Sequence, residues 1–139
     1  MQKTIERIAA LRAAMKQAGV QAYIIPSSDP HLSEYTPAHW RTREYFSGFT
    51  GSAGTLAVTE TKSGLWTDGR YFIQAEHQLE GSGIRLFRIG VSGVPTVVEF
   101  LREELKAGDT VGIDGSLFSA ADARRMECLL GEKNIGLKQ

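Results

Sequence analysis

The run Leu65-Trp66-Thr67-Asp68-Gly69-Arg70-Tyr71-Phe72 sets a carboxylate and a guanidinium two residues apart, at the entry of an apolar helix pattern. Asp68 is placed to cap that helix, and Gly69 permits a tight entry. Arg70 is harder to explain, because a helix N-terminus disfavours a cation. It calls for a carboxylate partner or a ligand; Asp29, Glu34, Asp68 and the carboxylate of a peptide all qualify. Upstream lies a second unusual run, Ser47-Gly48-Phe49-Thr50-Gly51-Ser52-Ala53-Gly54-Thr55. Glycines that dense are used where backbone bends sharply or approaches another group closely.

Other chemistries fit less well. The histidines are His31, His39 and His77, and His31 shares a helical face only with Glu34. Such a pair lacks the further ligands and supporting shell of a metal site, so no metal is expected in this chain. Ser47, Ser52 and Thr55 sit near glycines, yet no Gly-x-Ser-x-Gly elbow surrounds them. The glycine run also lacks the lysine of a phosphate loop and the spacing of a dinucleotide fingerprint. Asp29, Asp68 and Asp114 each follow a strand signal, as the carboxylates of a two-metal nuclease would. Each also adjoins Pro or Gly, where Asp commonly serves a turn or cap.

Charge argues against polyanionic partners. Sixteen basic residues balance sixteen acidic ones, so no basic track exists to hold nucleic acid or an anionic membrane. A hydrophobic content of 42% is ordinary for a globular protein, and the length fits one domain with a real core. No apolar run approaches a membrane span and no apolar signal core opens the chain, which points to the cytoplasm. The single cysteine, Cys128, lies among helix-type residues and reads as a small packing residue.

These motifs need elements to hold them. Ile5, Ile8, Leu11, Met15 and Ala18 predict a first helix, with Thr4 capping its start and Gly19 ending it. A buried strand over 20–25 is stopped by Pro26. Turn formers fill 27–37, and a helical turn over 41–46 ends at Gly48. Strands over 55–59 and 64–67 form an antiparallel hairpin. A helix over 70–79 buries Phe72, Ala75 and Leu79. A half-buried strand covers 84–89, with Arg85 and Arg88 facing out. Pro95 is placed as the first residue of a helix that buries Val98, Leu101 and Leu105. A strand over 110–114 follows. A last helix begins near Ser119 with a capping-box variant and buries Met126, Leu129 and Leu130. Leu137-Lys138-Gln139 can begin one more strand, and the ending there reads as that of an excised domain. Alternating helices and strands predict a single α/β domain: a mixed β-sheet flanked by helices.

The two runs, with Asp29-Pro30-His31-Leu32-Ser33-Glu34-Tyr35, resemble the N-terminal domain of Xaa-Pro aminopeptidases of the large three-domain cytosolic kind, within the creatinase/prolidase/aminopeptidase P family. The resemblance extends from about Ile5 to the end. It implies a ribonuclease-H-like arrangement for residues 1–139, a creatinase/prolidase-type N-terminal domain without catalytic residues. The catalytic pita-bread domain, with two divalent ions (Mn²⁺), is absent from this chain. It also implies partners: the protein's own C-terminal catalytic domain, a second copy in a homodimer, and peptide substrate at the domain interface. Carried onto this sequence, Asp29, His31, Arg43, Trp66 and Arg70 are the residues expected to face the substrate entrance. Prolidase or creatinase relatives, and peptidase-dead interaction modules, are the alternatives that the resemblance leaves open.

Overall fold

Six short runs, four of them carrying β-branched residues, pair into one sheet. In the computed structural model, which describes residues 2–26, 47, 49, 54–114 and 118–138, the strands are β1 (Ala22–Pro26), β2 (Thr55–Thr59), β3 (Ser63–Thr67), β4 (Arg85–Arg88), β5 (Thr110–Ile113) and β6 (Gly136–Lys138). Their order across the sheet is β4-β3-β2-β1-β5-β6. β2 runs antiparallel to both β1 and β3; the β1–β5, β3–β4 and β5–β6 pairs are parallel. Among the described residues, the helices α1 (Gln2–Ala18), α2 (Phe72–Leu79), α3 (Val97–Glu104) and α4 (Ala120–Gly131) complete the expected α/β domain.

Side-chain alternation along the strands divides the core in two. Ala22, Ile24, Ala57, Trp66, Phe87, Val111 and Ile113 point to one face, where Phe100 and Leu101 of α3 and Leu130 of α4 meet them. Ile25, Leu56, Val58 and Leu65 point to the other, against Ile8 and Met15 of α1 and Ala75 and Leu79 of α2. With both faces covered, β3 is buried along its whole length.

Local chemistry fixes the ends of the helices. α1 closes in a Schellman motif: Val20 N–H reaches Met15 O at 3.0 Å, Gly19 N–H reaches Lys16 O at 3.3 Å, and Gly19 holds φ 76°. Buried Val20 and Met15 supply the apolar contact of that motif. The start differs from expectation. α1 begins at Gln2, so Thr4 is not its cap but lies buried within it. Ile5, 46% exposed, is off the stripe, about a quarter-turn from the line of Ile8, Leu11 and Met15. Ala18 is exposed as well. Arg12 Nε donates to Thr59 O at 2.9 Å, tying α1 to the end of β2, and burial holds its guanidinium pKa below the ordinary value.

Three further expectations are corrected. Pro95 lies outside α3, because Thr96 and Glu99 form a complete capping box that sets the helix start after it. β4 does not alternate apolar with polar: Leu86 and Phe87 enter opposite cores, since helices cover both sides of the strand. Cys128 is exposed; the packed line of α4 runs through Ala123, Met126 and Leu130, and Cys128, two residues from each of the last two, lies on the opposite side of the helix. The helical turn expected over 41–46 lies outside the described residues. Ser119 caps α4 as read, its Oγ accepting from Asp122 N–H at 3.1 Å. With two cores sharing one sheet, heating the 139-residue chain is expected to give one cooperative transition, coincident by far- and near-UV circular dichroism. Separate transitions would mean that the two cores melt independently.

Candidate functional site

The sheet register brings the unusual sequence runs to one rim. Pro26 at the end of β1 pairs with Thr55 at the start of β2, Thr55 with Trp66, and Trp66 with Phe87. Ile113 of β5 aligns with Ile24. The chain therefore leaves β1, β3, β4 and β5 at the same end from which it enters β2. Phe49 and Tyr71, 22 residues apart in sequence, meet there.

Among the described residues, Asp68 and Arg70 form a charged pair on this rim. Asp68 caps a 3₁₀ turn (Gly69–Tyr71) that leads into α2. Its Oδ1 accepts from Arg70 N–H at 3.0 Å. The guanidinium folds back on the same carboxylate in a fork, Nε to Oδ1 at 3.2 Å and Nη2 to Oδ2 at 3.1 Å. That fork answers the question raised by a cation at a helix start: the cap supplies the counter-charge. Hydrogen bonding to Arg70 holds the Asp68 carboxyl below the usual carboxylate range. Both side chains remain accessible, 60% for Arg70 and 40% for Asp68, so the pair presents charge to solvent.

Aromatic contacts fix the turn from beneath. The Arg70 guanidinium lies over the Tyr71 ring at 5.2 Å. Tyr71 in turn meets Phe49 edge-on, with centroids 6.0 Å apart. Phe49 is fully buried, and its N–H is held by Ser47 Oγ at 3.1 Å. One run thus anchors the other through the Phe49–Tyr71 contact. Sequence reasoning quoted Tyr71 without assigning it a role; its position directly after Arg70 was the available signal.

Trp66 and Arg70 are placed differently. Trp66 is 2% exposed. Its ring stacks on Phe87 at 4.2 Å and meets Phe100 at 5.2 Å, and its Nε1 donates to Pro95 O at 2.8 Å. Arg70 is on the surface of the rim. Asp29, His31, Arg43 and His39 lie outside the described residues, and His77 is exposed in the last turn of α2. Among the described residues, no group of three or more His, Cys, Asp or Glu is arranged to hold a metal ion.

Comparison with known proteins places this arrangement. The sequence profile of the creatinase/prolidase N-terminal domain family matches residues 7–138. Aminopeptidase P2 of Arabidopsis thaliana is 49% identical over 131 residues, covering 93% of this chain but 18% of that protein. The crystal structure of an X-prolyl aminopeptidase from Caenorhabditis elegans, described as a cytosolic enzyme with a di-nuclear active site, superposes with a TM-score of 0.92. The two are 31% identical, over 99% of this chain and 24% of the worm protein. The N-terminal domain of the cytoplasmic peptidase PepQ from Mycobacterium tuberculosis aligns with a TM-score of 0.65 at 25% identity, over 95% of this chain and 90% of that one. The chain spans less than a quarter of the Arabidopsis and worm proteins, and the family profile covers residues 7–138: it belongs to the creatinase/prolidase N-terminal domain family.

Proposed function

We propose that this chain is the non-catalytic N-terminal domain of a metal-dependent Xaa-Pro aminopeptidase. The observation that carries the reading is the near-complete superposition on the worm X-prolyl aminopeptidase, 99% of this chain at a TM-score of 0.92. The parent protein removes the first residue of peptides whose second residue is proline. Two divalent ions, Mn²⁺ in our reading, would supply Lewis-acid chemistry for that hydrolysis when bound in the parent's catalytic domain. The described residues do not fit that group, since none of their clusters could hold an ion. We assign the metals to the parent's catalytic domain. The enzyme works in the cytoplasm as a homodimer, and this domain packs beside the active-site mouth.

The chemistry left to this domain is recognition. The Asp68–Arg70 fork offers a guanidinium already oriented by its own carboxylate, on a turn fixed by Tyr71 and Phe49. A planar guanidinium can hold a peptide carboxylate or carbonyl through paired hydrogen bonds. The expected result for Arg70→Lys in the parent enzyme is a fall in kcat/KM on Xaa-Pro peptides of about tenfold, the scale of one charge-assisted hydrogen bond. Metal content, measured by plasma mass spectrometry, should not change. Unaltered kinetics would remove Arg70 from substrate recognition. Mn²⁺-dependent hydrolysis of an Xaa-Pro peptide by the 139-residue chain itself would overturn the non-catalytic assignment.

A further inference from the structure

The two faces of the sheet are unequally covered. α3 and α4 pack on residues from β1 to β6, including Val111, Ile113 and Leu137. On the opposite face, the buried core shared with α1 and α2 takes strand residues from β1, β2 and β3, and none from β5 or β6. Where that cover stops, a groove of about 390 Å³ opens between the C-terminal half of α1 and strands β1 and β5. Leu11, Ala14, Met15 and Tyr23 line it. Gly112 forms the floor and leaves no room for a side chain, since a Cβ there would lie 2.8 Å from Tyr23 Cδ1. Among the described lining residues the one charged side chain is Lys138, with its Nζ on Ala18 O at 2.9 Å.

An apolar groove of this kind lowers its free energy by taking apolar side chains. The chain path identifies whose. β6 carries the backbone to Lys138, which aligns with Gly112 and itself lines the groove. The family's domain is N-terminal, and the Arabidopsis relative is spanned to only 18% of its length, so in such proteins further polypeptide leaves the sheet beside this groove. We infer that the groove between α1, β1 and β5 seats apolar side chains of the parent polypeptide that follows Gln139, making it the dock between this domain and the next. The inference rests on reading the chain as the N-terminal part of a longer protein.

The test uses Ala14→Cys, an exposed helix position on the groove wall where a small residue is replaced by another small one. Alkylation by iodoacetamide is followed by peptide mass spectrometry, in the 139-residue chain and in the parent protein. The introduced thiol should react about tenfold or more slowly in the dilute parent, because close packing excludes the reagent. The protection should not depend on protein concentration and should vanish in urea. Ala18→Cys serves as a second reporter with the same expectation. Equal rates in chain and parent would overturn the dock. Protection that grows with protein concentration would assign the groove to a second copy and overturn it equally. Peptidase activity is measured on the same samples: a shielded thiol in a parent inactive on Xaa-Pro peptides would sink the proposed activity and keep the dock, and an active parent with an unshielded thiol would do the reverse.

Discussion

Trp66→Ala should lower the stability of the 139-residue chain by about 3–5 kcal/mol, the range for deleting a fully buried large aromatic. Trp66 stacks on Phe87 and stands edge-on to Phe100, while Phe87 and Phe100 meet each other at 5.4 Å. Removing the indole leaves two aromatic rings beside a void they cannot close without moving β4 or α3. The truncation also strips Pro95 O of its donor. Trp66→Phe separates these effects. It keeps most of the stacking and loses the hydrogen bond, so it should cost about 1 kcal/mol plus a smaller packing term. Urea titration of both variants checks the order. A residue reserved for the substrate entrance would behave otherwise: Trp66→Ala would leave the chain's urea midpoint in place and show itself only in the parent's kinetics.

Trp66 also illustrates what the sequence could and could not convey. Its strand was legible, as were the hairpin with β2 and the caps at Asp68, Ser119 and Gly19, because each is written in neighbouring residues. The direction of its side chain was not. In a strand covered on one face, alternation separates inside from outside. β3 is buried on both faces, so Leu65 and Trp66 go to different cores while looking alike in sequence. The same cause misled the reading of β4. At α3, the reading rested on Pro95 alone, and the capping box of Thr96 and Glu99 sets the start after it. At α4, Cys128 read as packing because it lies among helix-type residues, yet the packed line passes through Met126 and Leu130, each two residues away and so on the opposite side of the helix. The sequence offered Arg70 four partners, Asp29, Glu34, Asp68 and a peptide carboxylate, and the structure shows the local one, Asp68. The contact of Tyr71 with Phe49 was not legible, because it depends on how β2 and β3 bring two distant runs to one rim.

Gly64→Ala should destabilise the chain by about 1–3 kcal/mol, although alanine is the smallest change available and the strand backbone there would accept it. A Cβ at this position would sit 2.5 Å from Phe87 Cε2, 2.8 Å from Phe87 Cδ2 and 3.0 Å from Trp66 Cζ3. Real carbon contacts need 3.5 Å or so, hence something must move. Phe87 cannot swing outward freely, because it is 4% exposed and held between Trp66 and Phe100. Gly64 pairs with Arg85, two residues before Phe87 on the neighbouring strand, so the ring lies across the gap where a side chain would stand. The glycine is thus a packing residue: its missing side chain is the space the Phe87 ring fills. A double-mutant cycle tests this account directly. Phe87→Leu alone should cost stability by shrinking the ring cluster. Combined with Gly64→Ala, it should cost less than the sum of the two, because the smaller side chain yields the space that the new methyl takes. Strict additivity in urea midpoints would show that Gly64 and Phe87 do not compete for one volume. The cost of Gly64→Ala would then lie in the backbone rather than in the aromatic cluster beneath the rim.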